Sequence, residues 1–172
     1  MRSAGIQVWY PQFPAPDNPS TADWQELVSA ESQLMDDVAL GEKIAVTHSL
    51  GCLNWLLAAR DGILGDRFDR VVWVAPPDPE LLEETTGRQF NLSEPKWRDA
   101  IRQGTNSLTI VASDEDRWLP RGIVETYGET LGMEPLIIDG AAHFSLQDGW
   151  GPWPGMFRWI SSGEIGDLAR QK

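Results

Sequence analysis

The 172-residue chain has a single cysteine, Cys52, so no internal disulfide can form. That excludes a secreted disulfide scaffold and favours a reducing compartment. Basic residues are scarce: 14 Lys and Arg stand against 26 Asp and Glu, for a formal net charge of -12. Nucleic acids and anionic membranes are recognised by clustered Lys and Arg, so neither is expected as a partner. No apolar run reaches the length of a membrane span. The N-terminal stretch "MRSAGIQVWYPQFP" lacks an apolar segment of signal-peptide length. The expectation is a soluble cytoplasmic protein, with no information on its oligomeric state.

What is present is an ordinary globular composition, long enough for one domain with a real core over residues 1–172. Apolar runs of about five residues alternate with helical patterns of ten or more. "GIQVWY" (5–10), "KIAVTH" (43–48), "DRVVWVAPP" (69–77), "SLTIVAS" (107–113) and "EPLIID" (134–139) read as strands. Helices are expected over "STADWQELVSAESQLMDDVAL", "LGCLNWLLAARDG", "PRGIVETYGETLG" and "GPWPGMFRWISS". The first starts with a capping signal at Ser20 or Thr21 and places Trp24, Leu27, Val28, Leu34 and Met35 at helical spacing. Near-continuous Val, Ile, Leu and Ala in the strands is the mark of a buried parallel sheet. The fold class is therefore α/β, a three-layer α/β/α sandwich with a mostly parallel sheet. Residues 78–104 are polar and irregular, with two short helices expected, and read as a lid-like insertion. Most of the nine tryptophans are assigned to core and rim packing.

One corner carries chemistry. "KIAVTHSLGCLNWLLAAR" (43–60) runs from strand into helix at Ser49. That is the context of a G-x-S-x-G nucleophile elbow, in which a sharp turn exposes the serine hydroxyl at the carboxyl ends of the strands. Position i+2 is Gly51, while Thr47 stands at i-2 where a smaller residue is usual. The competing reading is that Ser49 only caps the helix. The N–H of Leu50 opens that helix and points toward the same space, so it can serve an oxyanion. A serine also needs a base, and the chain has two histidines. His48 adjoins Ser49, and neighbours on a turn project apart. His143 lies in a loop after "EPLIID", at the sheet edge where α/β sites assemble. A carboxylate should follow a strand between the two in chain order, and "SDEDRWLP" offers Asp114, Glu115 and Asp116.

"VTHSLGC", "VASDEDRWLP", "AAHFSLQDGWGPWP" and the Pro-rich "YPQFPAPDNPSTADW" together resemble the small serine hydrolases of the retinoblastoma-binding-protein-9/YdeN type, within the α/β-hydrolase superfamily. The likeness spans nearly the whole chain, and its most specific piece is G-x-G-x-W-P at Gly149, Gly151, Trp153 and Pro154. It implies an α/β-hydrolase-like fold and a Ser49–Asp116–His143 triad. Asp116 is favoured over Asp114 because the family's acid precedes x-x-[VLC]-P, here Arg117, Trp118, Leu119 and Pro120. It implies an esterase-like enzyme on a small ester, thioester or amide, without metal or cofactor. His48, Trp118, Trp150 and Trp153 are expected at the substrate pocket. Thr47 and "AAH" depart from the family pattern. "LGCLN" ends in Asn54 where a retinoblastoma-protein ligand would carry Glu, so that partner is not implied. The resemblance also implies a strand, a His-Gly or Pro-Gly turn and a helix ahead of "GIQVWY". Its strand would lie between those at 5–10 and 43–47, and its turn would supply a second oxyanion N–H. With Leu50 as the one donor in view, the alternative is a catalytically weak binding protein on the same fold.

Overall fold

The computed structural model describes residues 5–38, 41–81 and 91–169. Its sheet has four parallel strands in sequential order: β1 Ile44–His48, β2 Arg70–Val74, β3 Leu108–Ala112 and β4 Leu136–Ile137. The helices are α1 Thr21–Val38, α2 Leu50–Arg60, α3 Pro95–Gly104 and α4 Pro154–Ser162. Among the described residues, no helix is long and apolar enough to cross a membrane.

The layers follow from side-chain alternation along the strands. On β2, Val71 and Trp73 face a core shared with α2 and α3, while Val72 and Val74 face a second core with Met156 and Trp159 of α4. On β3, Ile110 and Ala112 go to the first core and Val111 to the second. All of these strand side chains are buried, which is why they are apolar on both faces. Trp55, Phe68, Trp73 and Tyr127 form an edge-on aromatic chain through the first core, with centroids 6.0 to 6.3 Å apart. Trp24, Trp97 and Trp159 are also buried, so packing accounts for most of the tryptophans. α1 opens as its capping signal predicts, with the Asp23 N–H donating to Ser20 Oγ at 3.3 Å.

Two expectations are corrected. Residues 5–10 form no strand, because no neighbouring strand ladders with them and β propensity without a paired edge does not make a strand. The helix expected over 120–132 is a π-helix at Val124–Glu129, a widened turn that accompanies burial of Tyr127 with its hydroxyl donating to the Pro77 carbonyl at 2.6 Å. In the 78–104 stretch, residues 82–90 lie outside the described residues. Residues 95–104 are α3, packed on α2 through Trp97 and Ala100.

Candidate active site

The turn after β1 decides between cap and elbow. Ser49 has φ 55° and ψ -127°, a conformation that non-glycine residues rarely hold, and its side chain makes no capping hydrogen bond to α2. Its N–H donates to the Val74 carbonyl at 3.0 Å, which ties the turn to the end of β2. The hydroxyl is thereby released from helix capping and projected off the sheet edge. Thr47 fits at i-2 because its hydroxyl turns aside, donating to Val72 O and contacting Cys52 Sγ, both at 3.3 Å. A Cβ placed on Gly51 would meet Thr47 Cβ at 3.9 Å, an ordinary contact. The strand and helix are therefore less crowded here than the motif's small residues imply. The Leu50 N–H is the first of α2, and first-turn N–H groups have no acceptor within their own helix.

The Ser49 Oγ lies 2.8 Å from His143 Nε2. On the far side of that ring, Nδ1 lies 2.8 Å and 3.0 Å from the two carboxylate oxygens of Asp116. A carboxylate only accepts, so Nδ1 carries the proton and Nε2 accepts from the serine hydroxyl. The Asp116 side chain is fully buried and His143 nearly so. The Trp118 N–H donates to Asp116 Oδ1 at 2.9 Å and fixes the carboxylate's rotation. Asp114 is turned away. It is exposed, and its Oδ1 accepts the Gly140 N–H at 2.8 Å, bracing the start of the loop that carries His143. The three side chains that the motifs single out are thus joined in one hydrogen-bonded chain, contributed from the ends of β1, β3 and β4.

Trp118 is 45% exposed, with its ring centroid 6.3 Å from that of His143, so it presents an apolar face beside the imidazole. His48 has its ring centroid 5.0 Å from that of His143 and sets Nε2 on the His143 carbonyl oxygen at 2.8 Å. Desolvation is the largest influence on its pKa and holds the ring below the ordinary histidine range against the opposing hydrogen bond, although the residue as a whole is exposed. Trp150 and Trp153, both partly buried, stack with Phe144 and each other at 4.5 to 5.6 Å between centroids. Their indole N–H groups donate to the Ala141 and Leu168 carbonyls. Asp148 was not singled out by the sequence reading, yet its Oδ2 accepts the His143 N–H at 3.2 Å. The signal was there in "SLQD", a Ser-x-x-Asp capping box from Ser145 to Asp148.

Residues 6–162 match the family described as serine hydrolase. The chain belongs to the serine hydrolase family. Among solved structures it is similar to the ydeN gene product of B. subtilis, at 20% identity and a TM-score of 0.73, covering 94% of this chain and 84% of that one. It is also similar to a putative YdeN-like hydrolase of Pectobacterium atrosepticum, at 22% identity and a TM-score of 0.60, covering 86% of this chain and 71% of that one. These likenesses establish the YdeN-type α/β-hydrolase fold. No curated protein matches the chain.

Proposed function

We propose that this serine hydrolase cleaves a small ester, thioester or amide through an acyl-enzyme on Ser49. The reading is carried by one observation: a strained serine whose hydroxyl meets a histidine backed by a buried carboxylate, with 2.8 Å at both junctions. Ser49 Oγ attacks the substrate carbonyl carbon as His143 Nε2 takes its proton. The oxygen gains negative charge and the Leu50 N–H donates to it. Collapse of the tetrahedral intermediate expels the alcohol, thiol or amine, which leaves with the proton from His143. A water molecule, deprotonated by His143, then releases the acyl group as an acid and restores the serine. Asp116 holds the ring's tautomer and balances the imidazolium charge in both halves. Trp118 provides an apolar wall for the substrate. The cytoplasm is the proposed location, in keeping with the single buried cysteine.

A fluorophosphonate probe tests this reading. It should label the protein once, with the adduct on Ser49, and p-nitrophenyl acetate should be hydrolysed. Ser49→Ala should abolish both. Labelling that persists in the Ser49→Ala protein, or a folded wild type that reacts with neither reagent, would overturn the proposal.

A further inference from the structure

His143 sits in an unfavourable stretch of backbone. Both neighbours, Ala142 at φ 49° and Phe144 at φ 54°, are non-glycine residues in the left-handed region. A loop strained on both sides of its functional residue relaxes unless other groups hold it. Two side chains hold this one, and both act on the peptide groups of His143 itself. Its carbonyl oxygen faces His48 Nε2 at 2.8 Å. Its N–H donates to Asp148 Oδ2 at 3.2 Å. Asp148 is fixed in turn by Ser145, whose hydroxyl donates to the same carboxylate oxygen at 2.6 Å and whose N–H donates at 3.2 Å. His48 is the last residue of β1, directly before Ser49.

We propose that His48 and Asp148 are positioning residues that clamp the His143 backbone from its two ends and so keep the imidazole aimed at Ser49. The inference rests on the serine hydrolase reading above and assigns roles outside the triad. A carbonyl oxygen only accepts, so His48 must carry hydrogen on Nε2. The strand that delivers the nucleophile therefore also fixes the backbone of the base. The distance between the two reacting groups is set through one side chain rather than through the length of the intervening chain. Misplacing a catalytic group by about 1 Å costs about a hundredfold in rate, so a clamp of this kind should act on kcat.

His48→Phe keeps an aromatic ring at the strand end and removes the donor. His48→Gln restores an N–H donor at similar reach. With p-nitrophenyl acetate, His48→Phe should lower kcat by about ten- to a hundredfold with KM within about twofold. His48→Gln should recover most of that loss. Asp148→Ala should lower kcat in the same range, and the double variant should fall short of the product of the two losses, because both act on one peptide. Proton NMR gives a readout separate from turnover: the low-field Nδ1–H signal of His143 should be sharp in wild type and broadened in His48→Phe and Asp148→Ala. Unchanged kcat and an unchanged His143 signal in His48→Phe would overturn the clamp, as would equal losses in His48→Phe and His48→Gln. Failure of the hydrolase reading looks different. Wild type would then resist the fluorophosphonate, while the His143 signal would still report whether His48 and Asp148 hold the ring.

Discussion

Replacing Asp116 by Asn is the sharpest test of the proposed relay, because a neighbouring carboxylate serves as an internal control. Asp116 lies 2.8 Å from His143 Nδ1 and its side chain is fully buried. When His143 takes the serine proton, a unit positive charge forms against that carboxylate. At an effective dielectric constant of about 20, two charges about 2.8 Å apart interact by about 6 kcal/mol. Each 1.36 kcal/mol is about tenfold in rate, so losing that interaction amounts to about four powers of ten. The same figure follows from tautomer logic. An amide in this position can present its N–H toward Nδ1, which then holds a lone pair and puts the proton on Nε2, where it blocks the base; such changes cost about ten-thousand-fold. Asp114→Asn should be mild, within a few-fold, since the amide oxygen can still accept the Gly140 N–H that Asp114 holds at 2.8 Å. The assay is the pre-steady-state acylation rate with p-nitrophenyl acetate, with circular dichroism to establish folding. A smaller loss in Asp116→Asn than in Asp114→Asn would refute the assignment, and equal losses would refute the tautomer argument.

Other outcomes follow from the same geometry. Ser49→Gly and Ser49→Ala both lose the hydroxyl, but only glycine relaxes at φ 55°, so the glycine variant should be about 1 kcal/mol more stable in urea titration. Equal stabilities would mean that Ser49 stores no strain. Gly51→Ala should unfold within about 0.5 kcal/mol of wild type, given its 3.9 Å contact. Gly104→Ala would bring a Cβ to 2.9 Å from the Trp55 ring and 3.0 Å from Ala59 Cβ, and should lose about 1 to 3 kcal/mol; the opposite ranking would contradict the packing. Asp78 is buried, and although burial alone would raise its carboxyl, the Arg121 guanidinium and the Glu80 N–H hold it below the usual carboxylate range. A lowered folded-state pKa stabilises the protein above the unfolded carboxylate value near pH 4, and that stability is lost as pH falls through the folded value. Asp78→Asn should therefore lower stability at pH 7 on the order of 1 kcal/mol, discounted for the exposure of Arg121. It should also flatten the acid limb of an unfolding curve measured from pH 5 down to pH 2.

The parts of this structure that were legible in the sequence are those with a local cause. β2 and β3 match their apolar runs to within a residue or two at most ends, because burial on both faces leaves no other composition available. Ser49 and His143 could be picked out because each follows its own strand in a fixed chain order, whereas Asp116 is preferred to Asp114 and Glu115 only through the resemblance carried by "DRWLP". What escaped depends on contacts distant in sequence. "GIQVWY" has strand composition and no strand beside it. The π-turn at Val124–Glu129 goes with a hydrogen bond from Tyr127 to Pro77, fifty residues away. The motif contains Trp150 and Trp153 without revealing that they stack with Phe144 in a three-ring cluster. His48 was set aside as a base for sound geometric reasons, and nothing local shows that its ring reaches a carbonyl 95 positions on.

The strained residues explain why the site lies where it does. Five non-glycine residues among those described have positive φ, and four of them, Ser49, Ala75, Ala142 and Phe144, cluster just past β1, β2 and β4. The sheet's ladder continues one step beyond the strands into this region: Ser49 N–H to Val74 O, Ala75 N–H to Val111 O, and Ile138 N–H to Ala112 O, at 2.8 to 3.0 Å. Each bond locks the first residue past one strand to the end of a neighbouring strand. A strained residue costs about 1 to 3 kcal/mol, and an isolated turn would relax to avoid it. Bonded to a neighbour that is itself buried and laddered, it cannot relax without breaking the sheet's edge. The parallel sheet thus does more than bring three chain segments to one end. It holds Ser49 in the one conformation that denies its hydroxyl to the helix and leaves it to His143.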